Sequence, residues 1–463
     1  MKEKSTKRRK KHRNPFLKLG IGIAILVAVF LFLNSPLFTV EQFTVDGNSY
    51  YLEEEILTMG NCKTGGNIFW GTDCADIKAR LEKDGKDKVV NATIGALLDD
   101  EGKLIVLSSV TDVFKQLNPA EFAEYAPIAG TAEFREVIKK DAFGSYQPKR
   151  FTEAVATPGG TGAIRNTISN FSEVGDKILV ADWYWAPYNT IAREIGRRVE
   201  TFELFDKERK FNIENFGEKV QTLLQTQERL VIIINTPAHN PTGYALTDED
   251  WTQVCELLSA VPKEKKVTLL VDVAYIDFAG DEEKYRSFLP IIEELPEHVM
   301  IVIGHSLSKA YTLYGMRCGA MICMAPTKEL AEEFKCVCEF SSRASWSNCT
   351  RAPQMIITKI YADPELKAKV DKERAGFRDM LLRRGKAFEQ AAAGAGLEIV
   401  PFDAGFFASV PHENPDALSA ELEKEGIFVV PLAKGIRVSV ASVSEEKCRY
   451  LPGRIKAAIE SIK

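Results

Sequence analysis

Lys309 stands in the stretch GHSLSKAYTLYGMRCGA (304–320), preceded by Ser306 and Ser308 and followed eight residues later by Arg317. A lysine ordinarily goes to the surface, where its ammonium stays hydrated. After an apolar run and among hydroxyls, it can instead act as an amine that forms a Schiff base with a carbonyl. Asp272 lies in the apolar run LLVDVAYIDF (269–278), where an ionised carboxylate is costly unless it faces a cation, and Tyr275 follows it by three residues. In ATPGGTGAIRN (156–166) a glycine-rich turn leads into a helix, so Gly160, Thr161 and Gly162 can offer N–H groups and a hydroxyl to a phosphate. ADWYWAPY (181–188) supplies a flat indole, Trp185 or its neighbour Trp183, and NTPAHNPTGY (235–244) carries Asn240. Taken singly, each has a plain structural reading: a solvated lysine, a turn, a core tryptophan.

Taken in chain order, they meet the needs of one cofactor, pyridoxal 5'-phosphate. Its phosphate needs N–H donors, hydroxyls and an arginine; its pyridinium nitrogen needs a carboxylate that keeps the ring an electron sink. Its phenolic oxygen takes donors such as Asn240 and Tyr275, and its aldehyde takes a lysine. A metal plays no part in this reading. The nine cysteines include no C-x-x-C pair, there are only five histidines, and no zinc site is read.

The elements that must position these groups read as an alternation of helices and strands, the pattern of an α/β protein with a mainly parallel sheet. KILVADW, LVIIINTP, VTLLVDVAY and VMIVIGHS are short Val- and Ile-rich runs, each preceded by a helical stretch and each ending in polar or small residues. Ligands of open α/β sheets collect outside those carboxyl ends.

The order and wording of the blocks TPGGTGAIR, HNPTG, DVAY, SLSK and RCG resemble the class I (fold-type I) aminotransferases, aspartate/aromatic amino acid branch, from about residue 86 to the C-terminus. The resemblance implies a PLP-binding large domain over 105–376 and a smaller α/β domain made of 86–104 and 377–463. It implies that Lys309 bonds the cofactor aldehyde, Asp272 pairs with the pyridinium, and Tyr275 and Asn240 bond the phenolic oxygen, while Trp185 stacks on the ring. Gly160, Thr161, Ser306, Ser308 and Arg317 would hold the phosphate, helped by Tyr125 from across a homodimer with shared active sites. Gly95 and Arg437 would bind the substrate α-carboxylate, and Arg343 the distal carboxylate of aspartate or glutamate. The implied reaction is transamination between an amino acid (aspartate/glutamate or aromatic) and a 2-oxo acid. A β-lyase or decarboxylase on the same fold is the alternative within the family.

The first 84 residues are of another kind. Residues 1–18 carry nine Lys/Arg against one Glu, and the remaining chain is acidic, which argues against nucleic acid as a partner of the main body. Residues 19–40 run 22 positions without a charge, long enough to span a bilayer, and the basic flank predicts a cytoplasmic N-terminus. Residues 41–84, with Val45, Gly47, Asn48, Gly66, Asn67, Ile68, Phe69, Asp76, Ile77 and Leu81, resemble a truncated POTRA-like segment of DivIB/FtsQ-type cell-division proteins. By sequence this predicts a single-pass membrane protein, with an aminotransferase body that would be cytoplasmic if separated from the segment. A membrane-anchored division or scaffold protein with an inactive transferase body is the alternative of a different class. The join near residue 85 predicts that residues 1–84 add no chemistry.

Overall fold

The computed structural model describes residues 89–462, together with Phe30 and Phe32, and one compact unit begins at Lys88. The expected basic tail (1–18) and POTRA-like segment (41–84) lie outside the described residues, as does the expected span (19–40) apart from Phe30 and Phe32. Among the described residues no helix is long and apolar enough to cross a membrane.

In chain order the strands are β1 (Val90–Asn91), β2 (Phe151–Thr157), β3 (Lys177–Ala181), β4 (Arg198–Phe202), β5 (Arg229–Asn235), β6 (Lys266–Asp272), β7 (Val299–Ser306), β8 (Gly319–Ala325), β9 (Phe407–Pro411), β10 (Ile427–Phe428), β11 (Val430–Leu432) and β12 (Gly435–Ser439). A seven-stranded sheet is ordered β2-β8-β7-β6-β5-β3-β4. The predicted runs become β3, β5, β6 and β7, which pair in parallel through β5. After its first residue each of β5 and β6 is wholly buried, as befits central strands covered by helices on both faces.

β8 is the exception, antiparallel to both neighbours, with Ser306↔Gly319 on one side and Thr157↔Gly319 on the other. Because it runs backwards, its first residue sits beside the last residues of β2 and β7. Arg317, which precedes it, is thereby brought to the edge where the parallel strands end. Gly319 permits this approach, since a Cβ there would stand 2.4 Å from the His305 carbonyl oxygen and 2.9 Å from the Gly159 carbonyl carbon.

A second core gathers around the antiparallel sheet β11-β12-β9 and the parallel pair β1–β10. Its buried residues include Val90, Leu97, Leu381, Phe388, Phe406, Phe407, Val438 and Leu451, joined by Tyr275 and Phe278 from the end of β6. The 31-residue helix Pro364–Gly394, started by Asp363 accepting from Glu365 and Leu366 N–H groups, reaches from one core to the other.

Candidate active site

Each strand end contributes one group. β7 ends at Ser306, whose hydroxyl accepts from the Ser308 N–H and starts the short helix Leu307–Ala310 that carries Lys309. The Lys309 Nζ donates to the Gly95 carbonyl at 2.5 Å and lies 4.8 Å from the ring centre of Tyr314 and 5.6 Å from those of Tyr275 and Phe406. Aromatic faces on several sides hold an ammonium by cation–π attraction and narrow its range of positions.

β6 ends at Asp272, which is 5% exposed. Its Oδ2 accepts from the Tyr188 hydroxyl at 2.7 Å and its Oδ1 from the Ala274 N–H at 3.3 Å. Burial pushes the carboxyl up to about 6, against the pull of the Tyr188 bond. At neutral pH this is an anion in apolar surroundings, which gains from a cation beside it.

β5 ends at Asn235, whose side chain donates to the Asp272 carbonyl and accepts from the Asn240 N–H at 2.7 Å. The Asn240 amide then bridges two groups: its Nδ2 donates to the Tyr275 hydroxyl at 3.4 Å, and its Oδ1 accepts from Arg437 at 3.3 Å. Arg437 comes from β12 in the second core, donates to the Thr93 carbonyl at 3.0 Å and stacks 4.2 Å over the Phe407 ring. One polar chain therefore joins Asp272, Asn240, Tyr275 and Arg437 across both cores.

β2 ends before Gly159, at φ +69°, where a Cβ would lie 2.7 Å from the Arg317 guanidinium. Only glycine leaves that backbone turn open to the arginine. Arg317 is itself left-handed (φ 46°), and its Nη1 donates to the Ser308 hydroxyl at 3.0 Å and the Tyr314 carbonyl at 2.9 Å. Gly160 and Thr161 follow in the first turn of the helix Gly159–Phe171, with the Gly160 Cβ position 3.6 Å from Ser306. The glycine turn, Ser306, Ser308 and the Arg317 guanidinium are thus neighbours at one helix N-terminus, a donor set suited to a phosphate dianion.

Of the two tryptophans after β3, Trp183 belongs to the core, while Trp185 is half-buried and meets the Tyr188 ring edge-on at 5.6 Å and 88°. Tyr125, at 87% exposed, and Arg343, exposed and donating to Ser347 at 2.6 Å, are not brought to Lys309 within this chain. Two residues at the site have no signal in the sequence: Tyr188, which donates to Asp272, and Tyr314, which accepts the Leu97 N–H at 3.1 Å and so holds the loop containing Gly95. Nothing local marks either one, because their partners are 84 and 217 residues away.

A lysine on a short helix at the carboxyl edge of a mixed, mostly parallel sheet, with a glycine turn and an arginine beside it, describes the fold-type I transferases. The sequence model for aminotransferase class I and II matches residues 87–455, and the chain belongs to that family. The mitochondrial aspartate aminotransferase of Arabidopsis thaliana is 27% identical over 392 residues, 82% of this chain and 87% of its own. The aromatic-amino-acid aminotransferase of Escherichia coli K12 is 27% identical over 313 residues, 65% of this chain and 76% of its own. Among solved structures, an aminotransferase from Anaerococcus prevotii matches with a TM-score of 0.82 at 37% identity, covering 91% of this chain and 100% of that one. An aromatic-amino-acid aminotransferase from Burkholderia pseudomallei, covalently bound to pyridoxal phosphate, shares the fold with a TM-score of 0.68 at 23% identity, covering 83% and 96%.

Proposed function

We propose that Lys309 is the residue to which this aminotransferase bonds pyridoxal phosphate, and that its amino donors are aspartate, glutamate or aromatic amino acids with a 2-oxo acid as acceptor. What supports the reading most is the polar chain Asp272–Asn235–Asn240–Arg437, which ends beside the aromatic cage of Lys309. The residues fit the cofactor: the open glycine turn at Gly159 beside Arg317 suits its phosphate, and the anion at Asp272 suits a protonated ring nitrogen. When bound, pyridoxal phosphate supplies an aldehyde for the amine and a cationic ring that draws electrons from the substrate Cα.

The chain's own residues then have distinct tasks. Gly160, Thr161, Ser306, Ser308 and Arg317 hold the phosphate, and Trp185 lies against the ring. Asp272 keeps a proton on the ring nitrogen, while Tyr275 and Asn240 donate toward the phenolic oxygen. Arg437, oriented by Asn240 and its stacking on Phe407, takes the substrate α-carboxylate as a bidentate partner, with the Gly95 loop closing that side. The Lys309 amine would take the proton from the substrate Cα and deliver it to the carbon that had been the cofactor's aldehyde, the transfer that lets water release a 2-oxo acid. Residues 86–104 with 377–463 serve as the small domain and 105–376 as the large one.

Lys309→Ala should abolish turnover and the visible absorbance of bound cofactor. Retention of a borohydride-trappable linkage by that variant would sink the assignment. The exposed Tyr125 and Arg343 belong, in this reading, to a homodimer in which each protomer completes its partner's site. Arg343→Leu should then weaken aspartate and glutamate by roughly 2–5 kcal/mol, about thirty-fold to several thousand-fold, while sparing phenylalanine and tyrosine. A panel of amino donors measures this, and equal loss on all of them removes Arg343 from the pocket. Residues 1–84 add no chemistry; membrane attachment through 19–40 rests on the uncharged run alone and is checked by carbonate extraction of the full chain.

A further inference from the structure

Against the lysine turn lies a buried polar cluster that none of the roles above uses. Asp141, on the helix Ala132–Phe143, is 4% exposed. Its Oδ2 meets the His305 Nε2 at 2.7 Å, and its Oδ1 accepts from the Tyr311 hydroxyl at 2.6 Å and the Tyr361 hydroxyl at 2.8 Å. His305 precedes Lys309 by four residues and Tyr311 follows it by two. One carboxylate thus takes hold of the turn at both ends. The carboxylate is fixed in its turn, because Arg286, 5% exposed, donates to the Asp141 and Ala142 carbonyls at 3.2 and 3.1 Å. Beyond Tyr311 the chain is pinned again: Thr312, at φ 53°, accepts the Leu107 N–H at 2.9 Å through its hydroxyl.

We propose that Asp141 is a positioning residue for Lys309, a buried anion that clamps both ends of the turn carrying the lysine and the two phosphate-facing serines. This rests on the reading of Lys309 as the reactive lysine. The clamp matters because Lys309 must leave and regain one position during turnover, and a side chain on a four-residue helix has little backbone of its own to hold it. Two rigid anchors on one rigid acceptor restrict the turn without touching the amine.

Ligand atoms of Asp141, Asp277 and His305 also lie within 4.8 Å of one another, which raises a metal site as a rival. Charge decides against it. Asp277 pairs with Arg286 at 3.0 Å and Arg374 at 3.8 Å, and the Arg374 guanidinium lies 5.4 Å from the Tyr311 ring centre. Two guanidiniums already balance the two carboxylates, and a buried dication would add uncompensated charge.

The test uses the full chain without cofactor and reads amide hydrogen exchange over residues 306–313. The informative amides are Leu307, Tyr311 and Thr312, which donate to the Cys318, Leu307 and Lys309 carbonyls. In Asp141→Asn these amides should exchange about tenfold faster or more, and faster by a larger factor than those of β5 and β6; Tyr311→Phe should give a smaller change in the same amides. In the holoenzyme kcat should fall about tenfold for Asp141→Asn with KM within about threefold, since positioning acts on the reacting lysine more than on binding. A lowered melting temperature with turn exchange and kcat unchanged, or equal acceleration across all the strands, overturns the proposal. If Asp141→Asn fails to fold, Tyr311→Phe decides: wild-type exchange and wild-type kcat in it overturn the clamp. Wild-type turn amides that lose protection on dialysis against chelator would establish the metal reading instead. Because the exchange is read without cofactor, its failure is separate from failure of the Lys309 assignment.

Discussion

Asp141 and Asp272 are buried to the same degree, near the same edge of the seven-stranded sheet, and their carboxyls are shifted in opposite directions. Burial pushes both carboxyls up. Around Asp141 the bond to His305, the charge of Arg374 and the Tyr311 hydroxyl outweigh it, and the group is held well below the usual carboxylate range. Around Asp272 the Tyr188 hydroxyl and the Ala274 N–H offset only part, and the carboxyl comes to about 6. A carboxylate surrounded by donors is finished as a structural anion. One with a sparse donor set keeps its demand for a cation, which is what a group that must pair with a pyridinium requires.

The largest test of that contrast is turnover. Asp272→Asn should lower kcat about a hundredfold or more, because an amide cannot hold the proton on the ring nitrogen and the charge that develops at Cα loses its sink. Asp141→Asn leaves that partner in place and should cost less. Steady-state kinetics on both variants under one set of conditions measures the gap. The contrast breaks if Asp141→Asn costs as much as Asp272→Asn.

The two regions also differ in how far the sequence revealed them. β3, β5, β6 and β7 announce themselves as Val- and Ile-rich runs, so Asn240, Asp272 and Lys309 could be placed at strand ends from spacing alone. The reversed direction of β8 could not, since no residue pattern in GAMICMA records which way a neighbour runs, and it is this reversal that brings Arg317 to the site. The Asp141 cluster was illegible for the same physical reason. Its partners His305 and Tyr361 lie 164 and 220 residues away, and a lone Asp in REVIKKDAF reads as the polar face of a helix. Tyr125 and Arg343 stay legible by resemblance only, because a single chain leaves both at the surface.

Tyr188 sharpens the comparison at intermediate size. Its hydroxyl is the stronger of the two donors on Asp272, and a hydrogen bond to a charged group is worth about 1.5–3 kcal/mol. With Asp272 paired to the cofactor's ring nitrogen as proposed, binding would favour the ionised carboxyl, so affinity in the wild-type protein should weaken as pH falls through about 6. In Tyr188→Phe the same break should move up by roughly one pH unit, taking 1.36 kcal/mol per unit. Fluorescence titrations of cofactor from pH 5 to 8 on both proteins read the shift, and the cofactor's own ionisations cancel in the difference. An unmoved break would reduce Tyr188 to packing against Trp185.

The smallest effect concerns stability without cofactor, and here the two carboxylates should have opposite signs. Asp272 is raised in the fold from 3.8 to about 6, so the fold favours its protonated form. The stability this group contributes is fully present below its unfolded value and is lost as pH rises through about 6. Asparagine does not titrate, so cofactor-free Asp272→Asn should gain on the wild type between pH 4 and 7, by up to about 3 kcal/mol and a few degrees in melting temperature. Asp141 is depressed in the fold, so its contribution is present above the unfolded carboxylate range and is lost only as pH falls. Asp141→Asn should therefore melt below the wild type at pH 7, with the deficit shrinking in acid. Thermal melts of the three cofactor-free proteins at pH 4, 5.5 and 7 measure both trends. If the two variants shift in the same direction at pH 7, the two carboxylates do not differ as their donor sets require.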